Sequence, residues 1–152
     1  MVTNAPEEFM LEAIAEAKKA KSSGDLPFGA VVVHYGKIIG RGRDETHTKG
    51  DVTDHAEMIA LREACRKLKS NNLEECIIYC TNEPCLMCAA AIFQANIPKV
   101  VIGLSRSDLP DLLRNREINI YHLAKDSNHQ IEIVKDVLKD KILPLFRDLE
   151  KK

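Results

Sequence analysis

The sequence predicts a three-layer α/β/α sandwich built on one mixed five-stranded sheet. Three observations lead there. The segments read in order as helix, strand, strand, helix, strand, helix, strand, a short helical stretch, strand and helix, the layering of helices on both faces of a sheet. The first two strands are joined by a tight turn, so they are antiparallel. The third and fourth flank a helix, so they are parallel with a right-handed crossover. A chain of 152 residues that is 45% hydrophobic and 30% charged can bury one core. Residues 1–152 are therefore expected to form a single domain without internal repeats.

Each element has its own signal. From Pro6 to Ser22, Phe9, Met10, Ala13, Ile14, Ala17 and Ala20 recur at helical spacing, and Ser22-Ser23-Gly24-Asp25 stops the run. Val31-Val32-Val33 and Ile38-Ile39-Gly40-Arg41-Gly42 flank His34-Tyr35-Gly36-Lys37 and read as a hairpin. Gly29 and Ala30 leave room for close backbone approach, either to a ligand or to a packed neighbour. Asp44 to Val52 is polar and reads as a loop. Thr53 or Asp54 then caps a helix to Leu68 whose buried stripe is Ala56, Ile59, Ala60, Ala64 and Leu68. Cys76 to Thr81 is a strand, Cys85 to Ala95 a helix, and Val100 to Gly103 a strand. Leu109, Leu112 and Leu113 suggest a short helix, Ile118 to Leu123 reads either way, and Ile131 to Val134 is a last short strand. Val137 to Leu149 closes the chain as a helix in which Pro144 is a kink or a start.

Composition narrows the function classes. The net charge of −1 gives no overall nucleic-acid footprint. No apolar run is long enough to span a membrane, and Met1 to Ala20, with Glu7, Glu8, Glu12 and Glu16, is no signal peptide. Five cysteines in such a chain point to metal or catalytic use in a reducing cytoplasm rather than to disulfides.

The chemistry gathers at two stretches. His55 and Glu57 are two apart, and at about 100° per residue they converge only on something beyond the end of a helix. Cys85 and Cys88 are three apart, share a helical face and follow Pro84 at another helix start, where the dipole favours thiolates. His55, Cys85 and Cys88 thus make a Zn²⁺ site with an open fourth position, the catalytic rather than the structural arrangement, and Glu57 is left free to move protons. A structural site would need a fourth ligand. His34, His47, His122 and His129 lack paired spacing and read as surface or loop residues, while Cys65, Cys76 and Cys80 read as core thiols.

At Pro27-Phe28-Gly29-Ala30-Val31, His55-Ala56-Glu57 and Glu83-Pro84-Cys85-Leu86-Met87-Cys88 the chain resembles the cytidine-deaminase-like superfamily of zinc hydrolases. The chain carries that superfamily's H-x-E…P-C-x-x-C signature. The resemblance covers nearly the whole chain and is greatest to the branch of guanine deaminases, bacterial tRNA adenosine deaminases and fungal-type cytosine deaminases. It implies hydrolytic deamination of a nucleobase or related small heterocycle: zinc-bound hydroxide attacks an amino-bearing ring carbon, Glu57 shuttles protons, and ammonia leaves. It also implies a homodimer, and substrate contacts at Phe28, Asp44, Ala56 and Asp108.

Two departures bear on the substrate. Asp44, eleven before His55, stands where this branch commonly has Asn. An ionised Asp only accepts hydrogen bonds, so either the substrate presents N–H groups there or Asp44 caps its own loop. After Gly103, Leu104-Ser105-Arg106-Ser107-Asp108-Leu109-Pro110 replaces the Gly-rich loop usual in tRNA-editing members. Lys135, Lys139, Lys141, Arg147, Lys151 and Lys152 are offset by Asp136, Asp140, Asp148 and Glu150, so no phosphate-gripping surface is evident. The expectation is a free-base deaminase favouring guanine-type substrates, although the chain lacks the terminal aromatic of some guanine deaminases. A tRNA adenosine deaminase comes second. A cytosine deaminase or an inactive zinc-stabilised binding protein follows, and the presence of Glu57 argues against the latter.

Overall fold

Alternation decides which face of the sheet each residue joins. In β1 (Gly29–His34) Ala30 and Val32 enter one core, Val31 and Val33 the other. With β2 spanning Lys37–Arg43, the same split divides Ile78 and Cys80 from Tyr79 in β3 (Cys76–Asn82), and Val100 and Ile102 from Val101 in β4 (Lys99–Leu104). Strands buried on both faces read as unbroken apolar runs, as these do. With β5 (Glu132–Val134), the order is β2-β1-β3-β4-β5. β1 is antiparallel to both β2 and β3, and β3, β4 and β5 run parallel. This is the mixed five-stranded sheet expected from the sequence. The computed structural model describes residues 5–114 and 116–149. The terminal Glu150-Lys151-Lys152, on which the missing aromatic and two terminal cations rest, lies outside them.

The helices are α1 (Ala5–Ser22), α2 (Thr46–Lys49), α3 (Ala56–Leu68), α4 (Leu86–Gln94), α5 (Ile120–Asp126) and α6 (Lys139–Ile142). α1 and α6 pack on one face of the sheet through Met10, Ala13, Ile14 and Ile142. α3, α4 and α5 pack on the other through Ala60, Ala64, Ile92 and Ile120. Among the described residues no helix is long and apolar enough to cross a membrane.

Three segments differ from the sequence expectation. The polar stretch after Asp44 contains α2, because Asp25, far upstream, accepts the His47 and Thr48 N–H groups at 2.8 and 3.1 Å. Such a cap has no local sequence signal. Leu109 to Leu113 closes one turn, Leu113 N–H to Leu109 O at 3.0 Å, and a lone turn costs its nucleation without the gain of propagation. The closing helix breaks into α6 and a 3-10 turn over Leu143–Phe146. Pro144 has no N–H, and its ring conflicts with the carbonyl four residues back. The stretch around Ile118 resolves as α5, whose cap Asn119 accepts the Tyr121 N–H through Oδ1 at 3.0 Å.

Helix α3 lies unusually close to the hairpin. A Cβ on Gly42 would run into Ala56 O, and one on Gly40 into Ala60 O. On the opposite face a Cβ on Gly29 would run into Ala13 O and Ala17 N, so close packing of α1 is what requires that glycine. Gly42→Ala is expected to cost about 1–3 kcal/mol of stability through overpacking. Urea denaturation measures it, and an unchanged midpoint would mean α3 can ride up without loss.

Candidate functional site

His55 and Cys85 are the N-caps of α3 and α4, each in extended backbone (φ −73, ψ 154 and φ −68, ψ 174). The cap therefore falls one or two residues later than the Thr53 or Asp54 the sequence suggests. Those two side chains turn to Arg62 instead, Asp54 Oδ1 accepting at 2.8 Å and Thr53 Oγ1 at 3.2 Å. No side-chain oxygen caps either helix. Two positive helix ends are left to favour whatever anions lie there, and the nearest are the two cysteines.

The ligand set converges. Nδ1 of His55 lies 3.5 Å from Sγ of Cys85 and 3.5 Å from Sγ of Cys88, and the three ligand atoms lie within 4.8 Å of one another. Zinc–sulfur bonds near 2.3 Å and zinc–nitrogen bonds near 2.0–2.1 Å at tetrahedral angles require an N···S edge of roughly 3.5 Å. Both nitrogen–sulfur edges match those of such a tetrahedron. Among the described residues no further His, Cys, Asp or Glu joins the group, which leaves the fourth corner for water or substrate. His34 faces Glu75 at 3.6 Å, and His122 belongs to the cap of α5. Cys76 and Cys80 are core thiols, and burial raises Cys76 to about 11 and holds Cys80 well above the usual thiol range.

The charges fit a cation. The Cys88 thiol, donating to Cys85, holds Cys85 down at about 4, helped by His55. The same bond, with burial, pushes Cys88 well up. His55 is raised by its bond to Cys85. The two sulfurs thus share a proton, and a dication is what brings both to thiolate. Burial pushes the Glu57 carboxyl up to about 7, the range in which a group takes and returns protons near neutrality.

His55, Glu57 and Cys85 line one cavity of about 100 Å³, with Phe28, Thr81, Asn82, Glu83, Arg106 and Leu113 among its other residues. Of the substrate contacts expected from sequence, the structure brings only Phe28 here. Asp44 is buried, its Oδ1 accepts the Thr46 N–H at 2.8 Å and its own N–H donates to Phe28 O at 3.0 Å, the loop-capping arrangement. Ala56 is fully buried in the core. Asp108 lies away from the cavity. It accepts the Ser105 N–H at 2.8 Å and pairs with Lys139 at 2.7 Å. Partial burial opposes its ionisation, but Lys139 and Ser105 outweigh it, and the carboxyl sits below its usual range.

Sequence reasoning missed Asn82, Glu83 and Arg106. It also missed a second depression of about 540 Å³ that shares Glu83, Arg106 and Leu113 with the cavity. Arg114, Arg116 and Lys135 also line it. The sequence count of cations weighed the closing segment alone. These cations are drawn from three stretches and meet only in the fold.

The chain matches the family described as cytidine and deoxycytidylate deaminase zinc-binding region over residues 3–104. It is similar to a tRNA-specific adenosine deaminase of Bacillus subtilis (strain 168), 38% identical over an alignment that covers 96% of this chain and 91% of that protein. It is similar to a solved structure from studies of A-to-I editing by tRNA:A34 deaminases at the wobble position of transfer RNA. There the TM-score is 0.79 at 29% identity, over 91% of this chain and 98% of the other. An X-ray structure of guanine deaminase from Bacillus subtilis aligns with a TM-score of 0.66 at 30% identity, over 96% of each chain.

Proposed function

The chain belongs to the cytidine and deoxycytidylate deaminase family of zinc-dependent hydrolases, and we propose that its substrate is an adenosine held in tRNA. This reading takes precedence over the free, guanine-type base expected from the sequence. One observation carries it: the small cavity beside Glu57 and the cationic depression share Glu83, Arg106 and Leu113. A cavity of about 100 Å³ falls below the ~300–1,000 Å³ of drug-sized pockets and suits one flipped base rather than a whole nucleotide. An adjoining groove with Arg106, Arg114, Arg116 and Lys135 against Glu83 suits the sugar-phosphate strand left outside. A free base has no use for that groove. The B. subtilis adenosine deaminase and the tRNA:A34 deaminase structure point the same way.

Zinc, which His55, Cys85 and Cys88 would hold, would supply a water acidified toward neutrality. In the proposed cycle Glu57 takes one proton from the attacking water and passes it to the ring nitrogen, then takes the second from the hydroxyl now on the ring carbon and passes it to the amino group. The C–N bond breaks, ammonia leaves and the ring carbon keeps the oxygen. Phe28, its ring 5.7 Å from that of Phe146, offers an apolar surface for the base.

The test is turnover by zinc-loaded protein of an anticodon stem-loop RNA bearing adenosine, beside free guanine, adenine and cytosine. RNA-dependent inosine formation with background rates on free bases is expected. Ammonia release from guanine, with none from RNA, would return the substrate to the free base. Arg114→Ala with Arg116→Ala is expected to weaken RNA binding and flatten its dependence on salt. Two lost single-strand phosphate contacts lower the log–log slope by about 1.4, and an unchanged slope would clear the groove of any phosphate contact.

A further inference from the structure

Two buried side-chain nitrogens among the described residues have no hydrogen-bond partner, Nδ2 of Asn82 and Nε of Arg106. Both residues line the cavity that holds Glu57 and Cys85. Buried donors rarely go unpaired, because burial removes water without replacing it. Two such donors at one cavity mark it as a place that receives acceptors.

The direction of the Asn82 amide is set by its neighbours. The Gly29 N–H donates to Thr81 Oγ1 at 3.0 Å. The Thr81 hydroxyl has one hydrogen, and it donates that to Asn82 Oδ1 at 2.8 Å. Oδ1 is therefore the acceptor end, already used, and Nδ2 with its two hydrogens is the end without a protein partner. Thr81 is wholly buried and Asn82 is 7% exposed. Turned over, the amide would donate to the Thr81 oxygen and deprive the Thr81 hydroxyl of the acceptor it uses, so the orientation with Oδ1 toward Thr81 is the one that pairs both groups.

We propose that Asn82 is a specificity-determining residue whose Nδ2 donates a hydrogen bond to an acceptor atom on the ring of the bound base. The assignment rests on the adenosine reading above for the identity of that atom. Away from the carbon that reacts, adenine offers N3 and N7 as ring acceptors, and it carries no ring N–H to oppose a fixed donor. Arg106 Nε is the second donor, on the residue shared with the cationic groove, where ribose and phosphate oxygens lie in the RNA reading. Neither residue takes part in the proton transfers of Glu57. Asn82 selects which ring is held in place for them.

The experiment uses the zinc-loaded full chain with Asn82→Asp and Asn82→Leu. Asn82→Asp keeps the shape and the bond from Thr81 but exchanges the donor for an acceptor. Asn82→Leu fills the space without donating. Substrates are the stem-loop RNA with adenosine, 3-deazaadenosine or 7-deazaadenosine at the target. Both variants are expected to keep zinc and to lose roughly 5- to 100-fold in kcat/KM on adenosine. On one of the two deaza RNAs the wild type is slowed comparably, and the variants then lose no more than about twofold further. Such non-additivity marks a direct contact, and a purely structural role would not produce it. Wild-type kcat/KM in the variants, or the same loss on adenosine and on both deaza RNAs, overturns the proposal. The substrate reading is judged separately, by the wild type alone. If free bases turn over and RNA does not, that reading fails, and the same comparison with the free base and its deaza counterparts decides Asn82.

Discussion

Glu57→Gln is expected to leave a protein that holds zinc and fails to deaminate. The side chain sits in the first turn of α3 beside His55, is 8% exposed and lines the cavity without belonging to the ligand trio. Gln keeps its volume and its hydrogen-bonding reach while removing the capacity to take up a proton. General acid–base catalysis contributes roughly 10²–10⁴-fold, and the proposed cycle gives Glu57 more than one transfer, so the loss is expected at the upper end of that range. Ammonia release under saturating substrate measures turnover, and metal analysis of the same sample measures zinc. Parallel loss of zinc and activity would make Glu57 a support for the ligands rather than the proton carrier.

Removing the metal has the second large effect, and it extends beyond activity. The three ligands come from the heads of α3 and α4, some thirty residues apart in sequence, so a bound ion joins two elements that otherwise meet only through the core. An ion that binds the folded state alone stabilises it by about 4 kcal/mol at a thousand times its dissociation constant. Chelation is expected to reduce turnover to background and lower the melting temperature, and added Zn²⁺ should restore both. Cys88→Ala removes a wholly buried ligand, so its melting temperature should no longer respond to zinc. Full zinc occupancy in that variant would exclude Cys88 from the ligand set.

The sheet and the metal site could be read from the sequence because both are written locally. Val31 to Val33 and Val100 to Ile102 announce strands buried on two faces, and H-x-E and C-x-x-C carry their ligand spacing within a few residues. What escaped reading depends on distant partners. α2 is capped by Asp25 from over twenty residues away. Asp108 answers to Lys139, so its place near the motif said little about what it touches. The free end of Asn82 is decided by a hydroxyl that is itself fixed by Gly29, 52 residues from Thr81. The groove beside the cavity needs Arg106, Arg114, Arg116 and Lys135 brought together from either side of α5 and β5.

Gly40 and Gly42 bear no chemistry, yet they act as the gauge of the metal site. α3 rests with Ala56 O and Ala60 O where their side chains would stand, and His55 is the residue at the head of that helix. Cys85 and Cys88 ride on a different helix seated elsewhere on the sheet. The 3.5 Å separation of nitrogen from sulfur thus spans two helices, one of which is seated at a seam that contains no ligand. A bulkier residue at either glycine would be felt at the metal as a misfit between two correctly built halves. The depth at which the helix headed by His55 sits is thus set by two missing methyl groups, at positions no ligand motif includes.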